Sequence, residues 1–396
     1  MKAVFLTREY PPHVYGGAGV VVDELTRALG RRMAVEVRCF REPSAPPPGV
    51  VARAYAPWSR LAAGPDGPRF APALEALSAG LAMARDPVDA DVAHAHTWYA
   101  SAAGLLVRTL YQIPLIVTLH SLEPLRPWKA DQLGTGYLVS SAVERQAIET
   151  ADRVVAVSEA MRRDALRLFA VAPERVAVIG NGVDPSRYRR TAERGALDRL
   201  GVREPYALFV GRISEQKGIF DLLDAVPSLP PDLALVLCAA SPDTPEIEAR
   251  LARAVAQHPR ARWIPEMVPA ADVIQLYSHA ALFVCPSRYE PFGVINLEAM
   301  ACETPVVATA VGGIVDVVEP GVTGLLVPPA DPRGLAGAIG TVFSDPARAR
   351  AMGAAGRRRV EARFTWEAVA RETERLYAAA IEAFDSGRAS GSVQRA

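Results

Sequence analysis

The sequence predicts two α/β domains, each a doubly wound parallel sheet with helices on both faces, and a cleft between them. Three observations lead there. The chain has 396 residues, more than one hydrophobic core usually holds and enough for two. Half of the residues are apolar, so large cores can be built. Short, β-branched apolar runs alternate with amphipathic segments along the whole length, the pattern of buried parallel strands joined by helical crossovers.

In the first half the candidate strands are AVFLT (3–7), AVEVRCF (34–40), DVAHAH (91–96), PLIVTLH (114–120), RVVAVS (153–158) and RVAVIG (175–180). The second half offers YALFVG (206–211), LALVLCA (233–239), ARWIP (261–265), ALFVCPS (281–287), PVVAT (305–309) and GLLVP (324–328). A turn-rich stretch, NGVDPSRYRR (181–190), separates the two series and puts the domains at 1–185 and 186–364. Residues 43–72 are rich in Pro and Ala without clean periodicity and read as an excursion from the first domain. Near the end, Trp366, Val369, Leu376, Tyr377, Ala380 and Ile381 recur at helical spacing, which predicts an amphipathic helix over 365–385. The small, polar residues 386–396 are expected to form a disordered tail.

Composition excludes some functions. The formal net charge is zero, so neither nucleic acid nor an anionic membrane has bulk electrostatic support as a partner. The apolar run near the start is too short for a secretion signal, and no run reaches transmembrane length. Cys39, Cys238, Cys285 and Cys302 lie far apart in apolar segments without metal-site spacing. They read as buried free thiols of a cytoplasmic protein.

Open parallel sheets bind ligands at the carboxyl ends of their strands, so the residues just after strands carry the functional reading. After the first strand, TREYPPHVYGGAG places Gly16, Gly17 and Gly19 before a helix, where backbone amides can approach a phosphate or sugar oxygen. Position 22 is Val, which breaks the dinucleotide fingerprint, and a flexible turn is an equal alternative. His120 ends the strand PLIVTLH; a lone histidine more often satisfies a loop carbonyl. His94 and His96 share a strand face and read as structural. After YALFVG, Arg212 and Lys217 suit an anionic ligand, as a fork and a mobile charge respectively.

The most informative stretch is SRYEPFGVINLEAM (287–300). The amides of Gly293, Val294 and Ile295 open a helix and offer a second diphosphate cradle. Glu290 and Glu298 stand eight residues apart, and the helical neighbours of Glu298, namely Val294, Ile295, Ala301 and Cys302, cannot neutralise it. A vicinal diol of a sugar or ribose would satisfy each acid; the competing readings are a solvated loop acid for Glu290 and an interdomain salt bridge for Glu298. Asp89 and Asp91 form a D-x-D before a strand, the wrong end for a metal–diphosphate site. No metal and no other cofactor is expected, because cations and helix amides already neutralise a diphosphate.

Taken in order, the Gly-Gly loop, the R-x4-K pair and the E-x7-E pair resemble the retaining GT-B glycosyltransferases of the glycogen-synthase type. The resemblance covers nearly the whole chain. REYPPHVYGGAGV, HTWYA, HSLEPLRPWK and YEPFGVINLEAMAC further resemble the actinobacterial branch that includes the maltose-1-phosphate synthases. It implies a GT-B fold of two Rossmann-like domains, with the terminal helix crossing back onto the first as a hinge. It also implies ADP-glucose as donor substrate, and a sugar phosphate or α-glucan as acceptor partner. Arg212 and Lys217 would hold the diphosphate, Glu290 the donor sugar and Glu298 the ribose diol. His120 would lie beside the reacting carbon and Gly17 near the donor phosphates. Two positions depart from glycogen synthases: Val14 replaces a lysine before the Gly pair, and Thr97 replaces an aspartate. Both changes favour a small phosphorylated acceptor over polymer elongation. Transfer from another nucleotide sugar to a non-glucan acceptor, a nucleotide-sugar epimerase and a non-catalytic sugar-binding protein stay open, as do base preference and oligomeric state, a homodimer included.

Overall fold

The computed structural model describes residues 1–59, 61, 67–126, 129–240 and 242–393. The chain forms two compact units, Met1–Gly180 with Trp366–Ala396, and Asn181–Thr365. Among the described residues, unit 1 contains β1 (Lys2–Leu6), β2 (Ala34–Cys39), β3 (Val50–Ala54), β4 (Val92–His96), β5 (Leu115–Leu119), β6 (Arg153–Ala156) and β7 (Val176–Val178). Unit 2 contains β8 (Tyr206–Arg212), β9 (Ala234–Ala240), β10 (Ala261–Ile264), β11 (Leu282–Cys285), β12 (Val306–Thr309) and β13 (Gly324–Val327).

Every strand pairing is parallel, in the orders β3-β2-β1-β4-β5-β6-β7 and β10-β9-β8-β11-β12-β13. Each series starts at mid-sheet, runs to one edge, then returns to the other side of its first strand. The reversal falls between β1 and β4 in unit 1, and between β8 and β11 in unit 2. At such a point the two helical connections leave in opposite directions and open a crevice at the strands' carboxyl ends. The central strands are apolar on both faces because helices cover both: all five residues of β4 and of β5 are buried. All four cysteines are free and buried. No helix among the described residues is long and apolar enough to cross a membrane.

Three local features differ from the sequence reading. Residues 50–54, inside the expected excursion, form β3, which among the described residues pairs only with β2. As an edge strand it buries Val50 and leaves Val51 exposed, and its short alternation is masked by the prolines before it. The unit boundary falls at 180/181 rather than after 185. Residues 181–185 are tied to unit 2 by Val183 N–H donating to Phe364 O (2.8 Å) and by Arg357 donating to Pro185 O (2.9 Å). The terminal helix, Trp366–Val393, runs through most of the expected tail, and Arg388 bonds Gln112 O at 3.1 Å; residues 394–396 lie outside the described residues.

That helix is part of unit 1. Trp366, Val369, Ala370, Tyr377 and Ala380 are buried in the same core as Phe5, Val22 and Leu29, with Leu376 and Ile381 packed at its margin. Arg31–Glu367 (2.9 Å) and Arg32–Glu374 pairs flank the seam. Asp89 and Asp91 lie at the amino end of β4, engaged by the Lys2 ammonium (3.3 Å) and the Lys2 backbone N–H (2.7 Å).

Candidate active site

In unit 2 the reversal point collects the charged residues. Arg212 is the last residue of β8, half exposed, with its guanidinium 3.1 Å from Asp243. Ser214 then caps a turn of 3₁₀ helix, Glu215–Lys217, accepting from the Lys217 N–H. This cap aims the Lys217 side chain across to the loop after β11, where its ammonium meets Glu290 Oε2 at 2.6 Å. Both side chains are largely buried, and the Ser287 hydroxyl also donates to Glu290 (3.3 Å). Arg288 is held away by a bidentate pair with Asp221 (2.7 and 2.6 Å).

The Glu290 loop owes its shape to two glycines. Gly293 has φ +93 and ends the loop at the start of helix Val294–Ala301; a Cβ there would meet Asn296 Nδ2 at 2.7 Å. Gly312, at φ +51, lets the loop after β12 press on the Glu290 carbonyl, which a Cβ would reach at 1.8 Å. The helix begins with no side-chain cap and no acid in its first turn, so the amides near Gly293, Val294 and Ile295 retain their affinity for an anion.

Glu298 is half-buried on that helix. The Tyr277 hydroxyl donates to it at 3.2 Å, and Tyr188 donates a second hydrogen bond. Burial pushes its carboxyl up to about 7, while the two phenols and Arg187 pull it back. Glu298 thus has hydrogen-bonding partners from elsewhere in unit 2 that the residues of its own helix did not reveal.

In unit 1, Gly16 is the N-cap of helix Gly17–Gly30, with ordinary extended backbone. A Cβ at Gly16 or Gly17 would meet nothing within 4 Å, so the space over the loop is open to a ligand rather than filled by protein. The loop is not a free turn: the Glu9 carboxylate accepts from the Tyr15 and Gly16 N–H groups at 2.8 and 2.9 Å, and Gly19 packs on Glu9. Sequence reading missed Glu9, although it stands in the same post-strand stretch as the glycines. His120 follows β5; its Nε2 lies 2.9 Å from His96 Nδ1. His94, on the same strand as His96, bonds Tyr377 OH (2.5 Å) and Thr118 Oγ1 (2.6 Å). Burial holds His94 down to about 3 and His120 to about 4, so both are neutral near pH 7. The structure therefore joins Lys217 to Glu290 beside Arg212 and Gly293 in unit 2, while His120 and the Gly16–Gly17 loop belong to unit 1.

Comparison with known proteins agrees with this architecture. The model for "Glycosyl transferases group 1" matches residues 198–359, and that for "Glycosyltransferase Family 4" matches residues 15–187. The chain is 46% identical to an α-maltose-1-phosphate synthase of Mycolicibacterium smegmatis, over 95% of this chain and 99% of that protein. It is 31% identical to a glycogen synthase of Mycobacterium tuberculosis, over 96% and 95% of the two chains. A solved sucrose-phosphate synthase from Thermosynechococcus elongatus, 27% identical, matches with a TM-score of 0.77 over 96% of this chain and 99% of that one. Two doubly wound parallel-sheet units, family matches to both halves and end-to-end similarity to sugar-transferring enzymes place the chain among the GT-B glycosyltransferases, in the group that contains the glycogen synthases and α-maltose-1-phosphate synthases.

Proposed function

We propose that this glycosyltransferase moves glucose from ADP-glucose, with retention, to the 4-hydroxyl of glucose-1-phosphate or of an α-1,4-glucan chain, with the phosphorylated sugar as the preferred acceptor. The observation that carries this reading is the 46% identity to an α-maltose-1-phosphate synthase along 95% of the chain. Val14 and Thr97, where glycogen synthases usually carry a lysine and an aspartate, support the preference for a small acceptor. The four buried thiols fit a cytoplasmic setting.

In this reading Arg212 forks onto the diphosphate. The Lys217 ammonium has three donors; Glu290 takes one and leaves two for phosphate oxygens. As the glycosidic bond of the donor breaks, charge grows on the leaving diphosphate, and these cations with the amides at Gly293–Ile295 stabilise it. The acceptor hydroxyl attacks from the same face and gives its proton to that diphosphate. The protein supplies charge and position, and no metal is needed. His120, neutral, contributes a hydrogen bond rather than a proton.

The test is incubation with ADP-, UDP- and GDP-glucose against glucose-1-phosphate and glycogen, with products identified by mass. A phosphorylated disaccharide from ADP-glucose is the expected product. Free or epimerised sugar without acceptor product would point to an epimerase, and transfer only from UDP- or GDP-glucose would point to a different transferase.

Glu298 gives a second check. Glu298→Gln keeps the volume but weakens the grip on a ribose diol, and the donor KM should rise about 10-fold or more, the range for hydrogen bonds to a charged group. Stability should move the other way with pH. Because the folded carboxyl titrates near 7 and the unfolded one near 4.5, wild type binds the proton more tightly when folded. It therefore loses stability as pH rises from about 4.5 to about 7. The glutamine variant has no such loss, so its melting temperature should gain on wild type between pH 5 and pH 8. A variant that gains nothing with pH would show that Glu298 is ionised throughout.

A further inference from the structure

The crevice of unit 1 holds a cluster that the donor site does not use. Arg8 lies two residues beyond β1, and its guanidinium sits 4.2 Å from the centroid of the Tyr99 ring. Tyr99 is in the first turn of helix Thr97–Tyr111, which follows β4. Since β1 and β4 are neighbours, the contact bridges the strands' carboxyl ends at the reversal point, where an open sheet receives its ligand. Arg8 is exposed, and among the described residues no carboxylate pairs with it.

A second cation stands close by. Arg126, in the loop after β5, acts with Arg8 on the Tyr99 phenol, and the Ser121 hydroxyl accepts from its guanidinium at 2.9 Å. The nearby acids are already engaged. Glu9 holds the Tyr15 and Gly16 amides; Glu123, fully buried, accepts from the Ser140 hydroxyl (2.8 Å) and lies 3.6 Å from Arg126. Helix Thr97–Tyr111 begins without a side-chain cap or a first-turn acid, so its dipole adds positive potential at Tyr99. Its N-cap, His96, is fully buried with Nε2 unpartnered.

We propose that Arg8, with Arg126 as the second cation and Tyr99 as the apolar platform, binds the phosphate monoester of the acceptor sugar. The proposal rests on the functional reading above and deepens it by naming what tells a sugar phosphate from a glucan end. The guanidinium supplies the planar fork that fits a phosphate, and its seat on the aromatic ring fixes that fork in place. A glucan end carries no phosphate and gains nothing from Arg8.

The test compares wild type, Arg8→Gln, Arg8→Lys and Arg126→Gln with two acceptors, glucose-1-phosphate and glycogen, at saturating ADP-glucose. For Arg8→Gln the expected result is a 10- to 100-fold rise in the KM for glucose-1-phosphate, with the ADP-glucose KM and the rate on glycogen within 2-fold of wild type. Arg8→Lys should recover part of the loss, and Arg126→Gln should share its direction. Calorimetric titration with glucose-1-phosphate and with inorganic phosphate should show the same weakening without turnover. An unchanged acceptor KM in Arg8→Gln overturns the proposal while leaving the functional reading intact. Parallel losses on both acceptors together with a lower melting temperature overturn it too, as the mark of a structural contact. A wild type that binds and uses no sugar phosphate overturns the proposal together with the preference for a phosphorylated acceptor.

Discussion

Replacing Lys217 with alanine is expected to lower kcat about 100- to 1,000-fold at saturating donor, the loss seen when a positioned donor to a developing anion is removed. The ammonium is fixed by the Ser214-capped turn and by Glu290 at 2.6 Å, so its position is set before any ligand arrives. The same substitution strips a mostly buried carboxylate of its cation and, among the described residues, leaves it the Ser287 hydroxyl as its side-chain partner. Stability should therefore fall as well, by about 3 kcal/mol, the cost of breaking one side of a buried pair. The double variant Lys217→Ala/Glu290→Gln separates the two effects. It should recover much of the melting temperature and none of the turnover. Recovery of both would mean that Lys217 acts only through folding.

Ending the chain after Arg363 should have the larger structural effect. It removes the helix Trp366–Val393, whose Trp366, Val369 and Tyr377 are buried in the core of unit 1. At about 1.5–3 kcal/mol for each large side chain, the loss is about 5–9 kcal/mol. That rivals the whole stability of a typical domain, about 5–15 kcal/mol. We expect the truncated chain to lose the unfolding transition of unit 1 in calorimetry and to expose apolar surface to dye. Tyr377→Phe, which keeps the packing and removes only the bond to His94, should cost about 1 kcal/mol. A truncated protein that melts within a few degrees of wild type would show that the helix is dispensable to unit 1.

The doubly wound architecture was legible because buried parallel strands leave uninterrupted apolar runs, such as LIVTL in β5 and LFVC in β11. β3 was not, because an edge strand buries one face and its alternating VVARA lies behind a proline run. The candidate site was legible only one residue at a time. Lys217 and Glu290 each follow a strand, but they stand 73 positions apart, and their contact depends on β8 and β11 being neighbours. The partners of Glu298 were hidden for the same reason: Tyr277 comes from a helix 21 residues earlier, and no periodicity within the Glu298 helix points to it. Glu9 escaped because its work is done on backbone amides, which have no residue type to read.

The contact between His96 and His120 fixes a direction of proton sharing. A neutral imidazole carries one N–H, and of the two nitrogens that face each other only one can donate. His96 Nε2 is buried without a partner. A buried lone pair is tolerated better there than an orphaned N–H, so His96 carries its hydrogen on Nδ1 and gives it to His120 Nε2. His120 must then be the Nδ1–H tautomer, with its one ring hydrogen on Nδ1. Nitrogen chemical shifts would read this assignment directly, with a protonated-type Nδ1 and a lone-pair-type Nε2 for His120, both unmoved from pH 6 to pH 8. The polarity of that hydrogen bond is therefore settled by the other nitrogen of the His96 ring, which has no partner in the core beneath the contact.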